Sequence, residues 1–451
     1  MDRDNINFKD TEIKKLFLRF LLPTVMGMVS SAVFIVTDGI FVGHGIGSDA
    51  LAAVNLIAPL YLLATGIGLM FGMGGSVVAS VNLSRGKARI AGINITQSLI
   101  VPSLIVLIAS GVMMYFNDTV LDLLGTPDSL RELGREYLLY FVPFFMPLAL
   151  FDIIMFAVRL DGAPNFSMYC NLFAACLNIL LDYLFIFVFD WGLAGAATAT
   201  GIGYALGAAL MLWYMLRRSR TLKLAPLKLS RHSLQLTARN IGYMAYVGFP
   251  ALLSELALAC MMVVGNFAFI RYVGKDGVAA YSIACYLFPI IFMIHSGIIQ
   301  SAQPIISYNY GAGQHARVVH TFRLALATAA GFGAMICAIT WLGSEWIAGM
   351  FLPPEAPAYL YATQGLQLFS LGYMFFGINV VVIGYLQSLE QGKAASTLTI
   401  LRGIVFMILG FLFLPHLWGE AGIWLAVPVA EGATTLLILS VYLVRRIVAR
   451  R

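Results

Sequence analysis

The stretch CLNILLDYLFIF, residues 176–187, sets one carboxylate, Asp182, in a run whose only other strongly polar group is the amide of Asn178. A carboxylate at the bilayer centre costs about 2.5–3.5 kcal/mol on insertion scales, so its presence there calls for a function. Five of the 22 acidic residues fall inside apolar runs: Asp38, Asp152, Asp182, Glu255 and Glu431. Asn171, Asn178 and Asp182 follow one another at i, i+7 and i+11, the spacing of one helical face. The next run opens with AGAATATG and supplies Thr198 and Thr200. Asp38 stands fifteen residues beyond Pro23, which removes a helix hydrogen bond and favours a bend. Carboxylate, amide and hydroxyl oxygens are the donor set of a proton relay or of a hard cation such as sodium. No Cys/His cluster offers a transition-metal alternative: His44 is isolated, and Cys170, Cys176, Cys260, Cys285 and Cys337 lie in apolar runs without metal spacing.

The elements that must position these groups are membrane helices. Of 451 residues, 60% are hydrophobic and 11% charged, with a mean hydropathy of +0.87, whereas soluble domains carry about 25% charged residues. Twelve apolar runs, near 16–43, 53–80, 93–115, 137–158, 167–189, 193–216, 244–270, 279–305, 320–343, 359–387, 396–416 and 421–444, each approach the ~20 residues that span hydrocarbon. They do not alternate as barrel strands would, so the spans are helical. The first run is too long for a signal peptide and has no small-residue cleavage site soon after it, so it is expected to be retained. With the N-terminus inside, cytoplasmic segments hold 23 of the 28 Lys and Arg, external ones hold Arg131, Arg135, Arg271 and Lys275, and Arg402 lies within span eleven. That bias predicts an inner (plasma) membrane protein with both termini cytoplasmic. The net charge of +6 then reflects topology and anionic lipid, and no basic–aromatic stripe points to nucleic acid.

Shifted by 227 residues, the chain matches itself without a gap. Pro23 meets Pro250, Gly47 meets Gly274, Asp49 meets Asp276, Gly86 meets Gly313, and WGLAG at 191–195 meets WGEAG at 418–422. The reading is an all-α membrane protein of twelve transmembrane helices in two six-helix lobes. An even number of spans per half relates the lobes by a pseudo-two-fold axis along the membrane normal. The expected divisions are an N-lobe over 1–216, a basic cytoplasmic linker over 217–240 and a C-lobe over 241–451. Paired bundles of this kind suit alternating access.

The layout resembles the MATE (multidrug and toxic compound extrusion) family, bacterial multidrug branch. The resemblance is carried by Pro23 with Asp38, NILLD with Asn178 and Asp182, Thr200 eighteen residues later, RLDG at 159–162, and AQPIISYNYGAGQ at 302–314. It covers nearly the whole chain. It implies a secondary active exporter of cationic and amphipathic organic compounds in antiport with protons or sodium, acting without a cofactor and as a monomer. It also implies a cation and proton site at Asp38, Asn178, Asp182 and Thr200, with Pro23 as the hinge of the first helix. Two departures stand out. Relatives often carry Asn where this chain has Asp152, which joins the expected site. The segment FFGINVVVIGYLQ at 375–387 has no carboxylate, leaving Glu255, about a turn from the expected place, as the candidate for a second site in the C-lobe. If Asp38, Asp152 and Asp182 share one pocket, a single sodium ion leaves uncompensated charge, so protons must take part.

Two other readings are weaker. A flippase for lipid-linked oligosaccharide or cell-wall precursors shares the architecture, but its anionic cargo calls for several basic groups at depth, and only Arg402 is there, with Arg159 near a cytoplasmic end. An intramembrane aspartyl protease needs a GxGD element, which is missing, so no enzyme is expected. The 31 Phe, 20 Tyr and 20 Met permit an adaptable apolar cavity for varied drugs.

Overall fold

The computed structural model describes residues 7–228 and 230–448. Among them there are helices and connecting turns but no strand, as hydrocarbon requires of a chain that must satisfy its own backbone. The first half runs α1 (Ile13–Gly45), α2 (Ser48–Ser84), α3 (Ala88–Tyr115), the short α4 (Asn117–Leu123), α5 (Arg131–Phe141), α6 (Phe145–Leu160), α7 (Pro164–Asp182) and α8 (Gly192–Arg217). The second half runs α9 (Arg231–Tyr272), α10 (Lys275–Gly311), α11 (His315–Leu342), the short α12 (Ser344–Gly349), α13 (Pro357–Ser370), α14 (Gly372–Ser388), α15 (Gly392–Ile400) and α16 (Met407–Val448). π-helical turns extend α7 over Tyr183–Val188 and join α15 to α16 over Leu401–Phe406.

Ten stretches of the described residues are long and apolar enough to cross a membrane, and the pair α13–α14, bent by 41°, makes an eleventh. The last stretch, Gly392–Val444, has 53 residues, about 80 Å of helix against a hydrocarbon core of about 30 Å. It is broken at Gly419, whose φ of 58° and ψ of −134° no helix contains. Division there recovers the twelve spans read from the sequence. The repeat explains why the break falls at that residue. Its counterpart Gly192 has φ of 56° and opens α8, and Gly86 and Gly313 likewise share a φ of 73°. Left-handed backbone at these turns selects glycine in both halves.

The chain forms two compact units, the first comprising residues 1–255, 301–318 and 387–392 and the second residues 256–300, 319–386 and 393–451. The first unit therefore takes in residues 241–255 and two further segments from beyond the 217–240 linker. Its core joins Ile154, Phe156, Met211 and Met244 to a second cluster around Ile57, Leu138 and Phe145. The second unit is built on aromatic rings: Phe269 stacks on Tyr281 at 4.5 Å, and Trp424 meets Phe269 edge-on at 4.7 Å.

The linker is pinned by RLDG. Asp161 accepts hydrogen bonds from the backbone of Thr221 and Leu222, each at 2.8 Å, from Arg220 at 3.2 Å, and from the Tyr214 hydroxyl at 2.9 Å. Further along, Ala225 donates its N–H to Thr96 at 3.0 Å and Gln97 donates to Thr237 at 2.9 Å, tying the segment to α3. In the 117–137 segment, Asp118 and Asp122 are paired internally. Arg131 bonds Asp122 at 2.6 Å, and Arg135 and Arg131 both reach Asp118. The Arg135 guanidinium, followed by that of Arg131, holds the Asp118 carboxyl below its ordinary value. Asp161→Ala is expected to release the start of the linker at a cost of about 2–3 kcal/mol, since hydrogen bonds to a charged acceptor are worth about 1.5–3 kcal/mol each but partly re-form with water. Trypsin should then cut after Arg218 or Arg220 several-fold faster; an unchanged rate would show that the anchor does not matter.

Candidate functional site

The helical face read from the sequence is the face by which α7 meets α1. Gly27 leaves room for the Asn171 amide, and Ser31 donates to Asn171 Oδ1 at 3.1 Å. Two turns further along, Asp38 lies against Asp182 and Thr200, and Asp182 against Asn178. Helix α8 closes the group. Gly203 lets it approach to where a Cβ would sit 3.4 Å from that of Asn178, and Asn178 donates to Thr200 Oγ1 at 3.1 Å. Asp38, Asn178, Asp182 and Thr200 thus converge from three helices. Asp182 is fully buried, Asn178 and Thr200 are buried, and Asp38 is half-buried.

The hydrogen bonding of this group is incomplete. Oδ1 of Asp38, both carboxyl oxygens of Asp182 and Oδ1 of Asn178 are buried without a donor from the protein. Buried polar atoms are almost always satisfied, and here four acceptors share one place. An oxygen donor set of this kind fits a proton or a hard cation. Among the described residues no group of three or more His, Cys, Asp or Glu is arranged to hold a metal. Pro23 is buried in α1, which runs helical through it.

Asp152 has different company from that expected. Its charged neighbours are Glu255 and Arg159, with neither Asp38 nor Asp182 among the groups acting on it. Both acids pack on α2: a Cβ at Gly68 would lie 2.9 Å from that of Asp152, and one at Gly66 would lie 3.7 Å from that of Glu255. Residues 150–155 read as one apolar run, so only the packing of α6 on α2 reveals which way Asp152 faces. Glu255 belongs to the first unit, where it neighbours Asp152. Tyr61 and Tyr204, whose hydroxyls lie 3.1 Å apart, connect the two carboxylate groups. Asp152 and Glu255 act on Tyr61, and Asp152 and Asp38 both act on Tyr204.

The second unit has its own polar centre. Glu431 accepts a hydrogen bond from Asn379 Nδ2 at 2.7 Å, Thr435 donates to Asn379 Oδ1 at 2.9 Å, and Arg402 Nε stands 3.7 Å from Glu431 Oε1. At the 227-residue shift, Asn379 is the counterpart of Asp152 and Glu431 that of Tyr204. By contrast, Asp38, Asn178, Asp182 and Thr200 meet Gly265, Val405, Leu409 and Val427. The oxygen-rich group of the first half therefore has no equivalent in the second. Asn379, Thr435 and the tyrosine pair escaped the sequence reading, although the repeat offset would have marked Asn379 and Glu431 together.

The sequence model of the MatE family matches residues 18–184 and 250–414, and the chain belongs to that family. It is similar to the multidrug export protein MepA of Staphylococcus saprophyticus, with 27% identity over 447 residues covering 97% of this chain and 95% of that one. It is also similar to MepA of Staphylococcus aureus, with 26% identity over 450 residues and the same coverage. The fold matches an outward-facing MATE family transporter of the MOP superfamily with a TM-score of 0.88 at 20% identity, covering 97% of this chain and 96% of that one. A MATE transporter of Vibrio cholerae, VcmN, matches with the same score and identity, over 97% and 98%.

The two polar centres should respond oppositely to neutralisation. Asp182→Asn replaces a buried carboxyl whose oxygens accept no hydrogen bond with a neutral isostere, so the variant should insert and unfold at a temperature equal to or above the parent's. Arg402→Met leaves Glu431 buried beside a lost cation and should cost about 3–5 kcal/mol. Thermal unfolding in detergent compares them; a large loss of stability in Asp182→Asn would mean that its carboxylate is structural.

Proposed function

We propose that the chain is a multidrug exporter of the inner (plasma) membrane, expelling cationic and amphipathic organic compounds in antiport with protons, with sodium as the alternative coupling ion. The observation that carries this is the group of buried, donor-less oxygens on Asp38, Asp182 and Asn178. The names of the MepA relatives support the substrate class. The positive-inside distribution supports cytoplasmic termini, and the 227-residue repeat supports two six-helix lobes joined over 217–240. The scarcity of basic groups at depth weighs against a carrier of lipid pyrophosphates.

In this reading Asp38 and Asp182 share the coupling ion. Two adjacent carboxylates in a dry site oppose each other's ionisation, so a proton or cation arriving from outside lowers the energy of a closely packed α1–α7 pair. Its departure raises that energy. A ligand drives a conformational change only through such a difference in affinity for the two states, and Pro23 is the place in α1 where the helix yields. Asp152 and Glu255, on the other side of the tyrosine pair, supply negative charge to a positively charged compound.

Asp38→Asn should abolish export while expression and insertion persist; transport at half the parental rate or better would remove Asp38 from coupling. Asp182→Asn should be far more damaging than Glu255→Gln when drug resistance is compared at matched expression, and equal loss would contradict a coupling site confined to the α1–α7–α8 group. The direct assay is export of an organic-cation dye from vesicles under separately imposed pH and sodium gradients. A pH gradient alone should suffice, and full export on sodium alone without proton movement would contradict proton coupling.

A further inference from the structure

Arg402 is a buried charged group that the proposed function leaves unused. It is 4% exposed and sits in the π-helical turn over Leu401–Phe406, a distortion that recurs at functional sites because it re-aims side chains. At the repeat offset its counterpart is Ala175, so the guanidinium belongs to the second half alone. The face of the guanidinium rests on the Phe376 ring, 4.8 Å from the centroid. Phe376 is held in turn by His295, edge-on at 5.6 Å, and His295 is fixed by the Ile291 carbonyl at 2.9 Å.

What the guanidinium lacks is an acceptor. Nε and Nη1 are buried without a hydrogen-bond partner. Glu431 does not fill the role: at 3.7 Å its Oε1 is an ion-pair neighbour beyond hydrogen-bond reach, and its Oε2 is taken by Asn379. Asn379 donates to the Glu431 backbone carbonyl as well, at 2.9 Å, and Thr435 locks the amide from its oxygen side. Glu431 is thus anchored to Asn379, close enough to offset the charge of Arg402 and too far to satisfy its donors. Leaving such donors unmet in a dry interior is costly, and a protein that only needed a structural ion pair would close the gap.

We infer that Arg402, on its Phe376 platform beside the Asn379–Glu431 pair, is a binding site for a singly charged anion. The chemistry is that of a carboxylate or halide accepting from Nη1, since Nε faces the Glu431 carboxylate. Two sources are compatible with it: a carboxylate carried by the exported compound itself, or a free anion. In the first case the inference rests on the export reading and assigns the compound's carboxylate to Arg402.

The test uses a rhodamine-type dye as the free carboxylic acid and as its methyl ester, with the full chain in vesicles. The charge-balanced variant Arg402→Met with Glu431→Gln removes the guanidinium without leaving a buried unpaired charge. The ratio of acid to ester export should fall by about tenfold relative to the parent, the scale of a lost charge-assisted hydrogen bond. Should that variant fail to fold, Arg402→Lys keeps the charge opposite Glu431 but loses the planar donor set, and the same ratio should fall in part. A binding arm needs no transport: sodium acetate and sodium chloride are each tested for raising the unfolding midpoint of purified parent and variant. A rise in the parent that is missing in the variant assigns the site to a free anion. A fall in the dye ratio without such a rise assigns it to the substrate's carboxylate. An unchanged ratio together with no variant-dependent rise overturns the inference. Failure of the parent to export either dye would instead count against the export reading, with the binding arm still reporting on Arg402.

Discussion

A carboxylate inside hydrocarbon can place its charge only on something brought to it, because no solvent is there to share it. The first unit depends on that constraint. The α1–α7 seam is cut by Gly27 and tied by Ser31 to Asn171, so that Asp38 and Asp182 come together two turns further along. Gly203 sets α8 close enough for Thr200 to take the Asn178 amide. The scaffold thus spends its hydrogen bonds on Asn178 and Thr200 and leaves the carboxyl oxygens of Asp182 with none. In the proposed reading an ion or proton shares this group, and its occupancy biases the conformation.

The repeat shows how two copies of one fold were given different chemistry. Turn glycines kept the same left-handed backbone in both halves, at Gly192 and Gly419 and at Gly86 and Gly313, because geometry there admits little else. The polar positions diverged. The acid of span four corresponds to Asn379 in span ten, and Tyr204 of span six to Glu431 in span twelve, beside an arginine with no first-half counterpart. The first unit thus gathers carboxylates, and the second holds a compensated cation whose donors are only partly used.

Spacing within one helix was legible in the sequence: Asn171, Asn178 and Asp182 share a face by arithmetic alone, and the family pattern added Asp38 and Thr200, which the structure brings beside Asn178 and Asp182. The span count was legible too, because hydrocarbon thickness fixes helix length; only the Gly419 break needed coordinates to show that α16 is two spans. Orientation about a wholly apolar helix was not legible. Asp152 lies in a run without an amphipathic face, so nothing local told whether it met Asp38 or Glu255; the packing of α6 on Gly68 decided it. The role of RLDG also stayed hidden, since the Asp161 carboxylate accepts from backbone N–H groups of the linker, which no pattern of side chains announces.

The central claim is that Asp38 and Asp182 carry the exchangeable proton, and proton release on ligand binding reads it without gradients, vesicles or turnover. Purified protein in weakly buffered detergent solution, mixed with an organic-cation dye, should release about one proton per bound dye as the coupled-site picture requires. The Asp38→Asn, Asp182→Asn double variant should bind dye with little or no release. Equal release from parent and double variant would place the titrating group elsewhere and contradict the account.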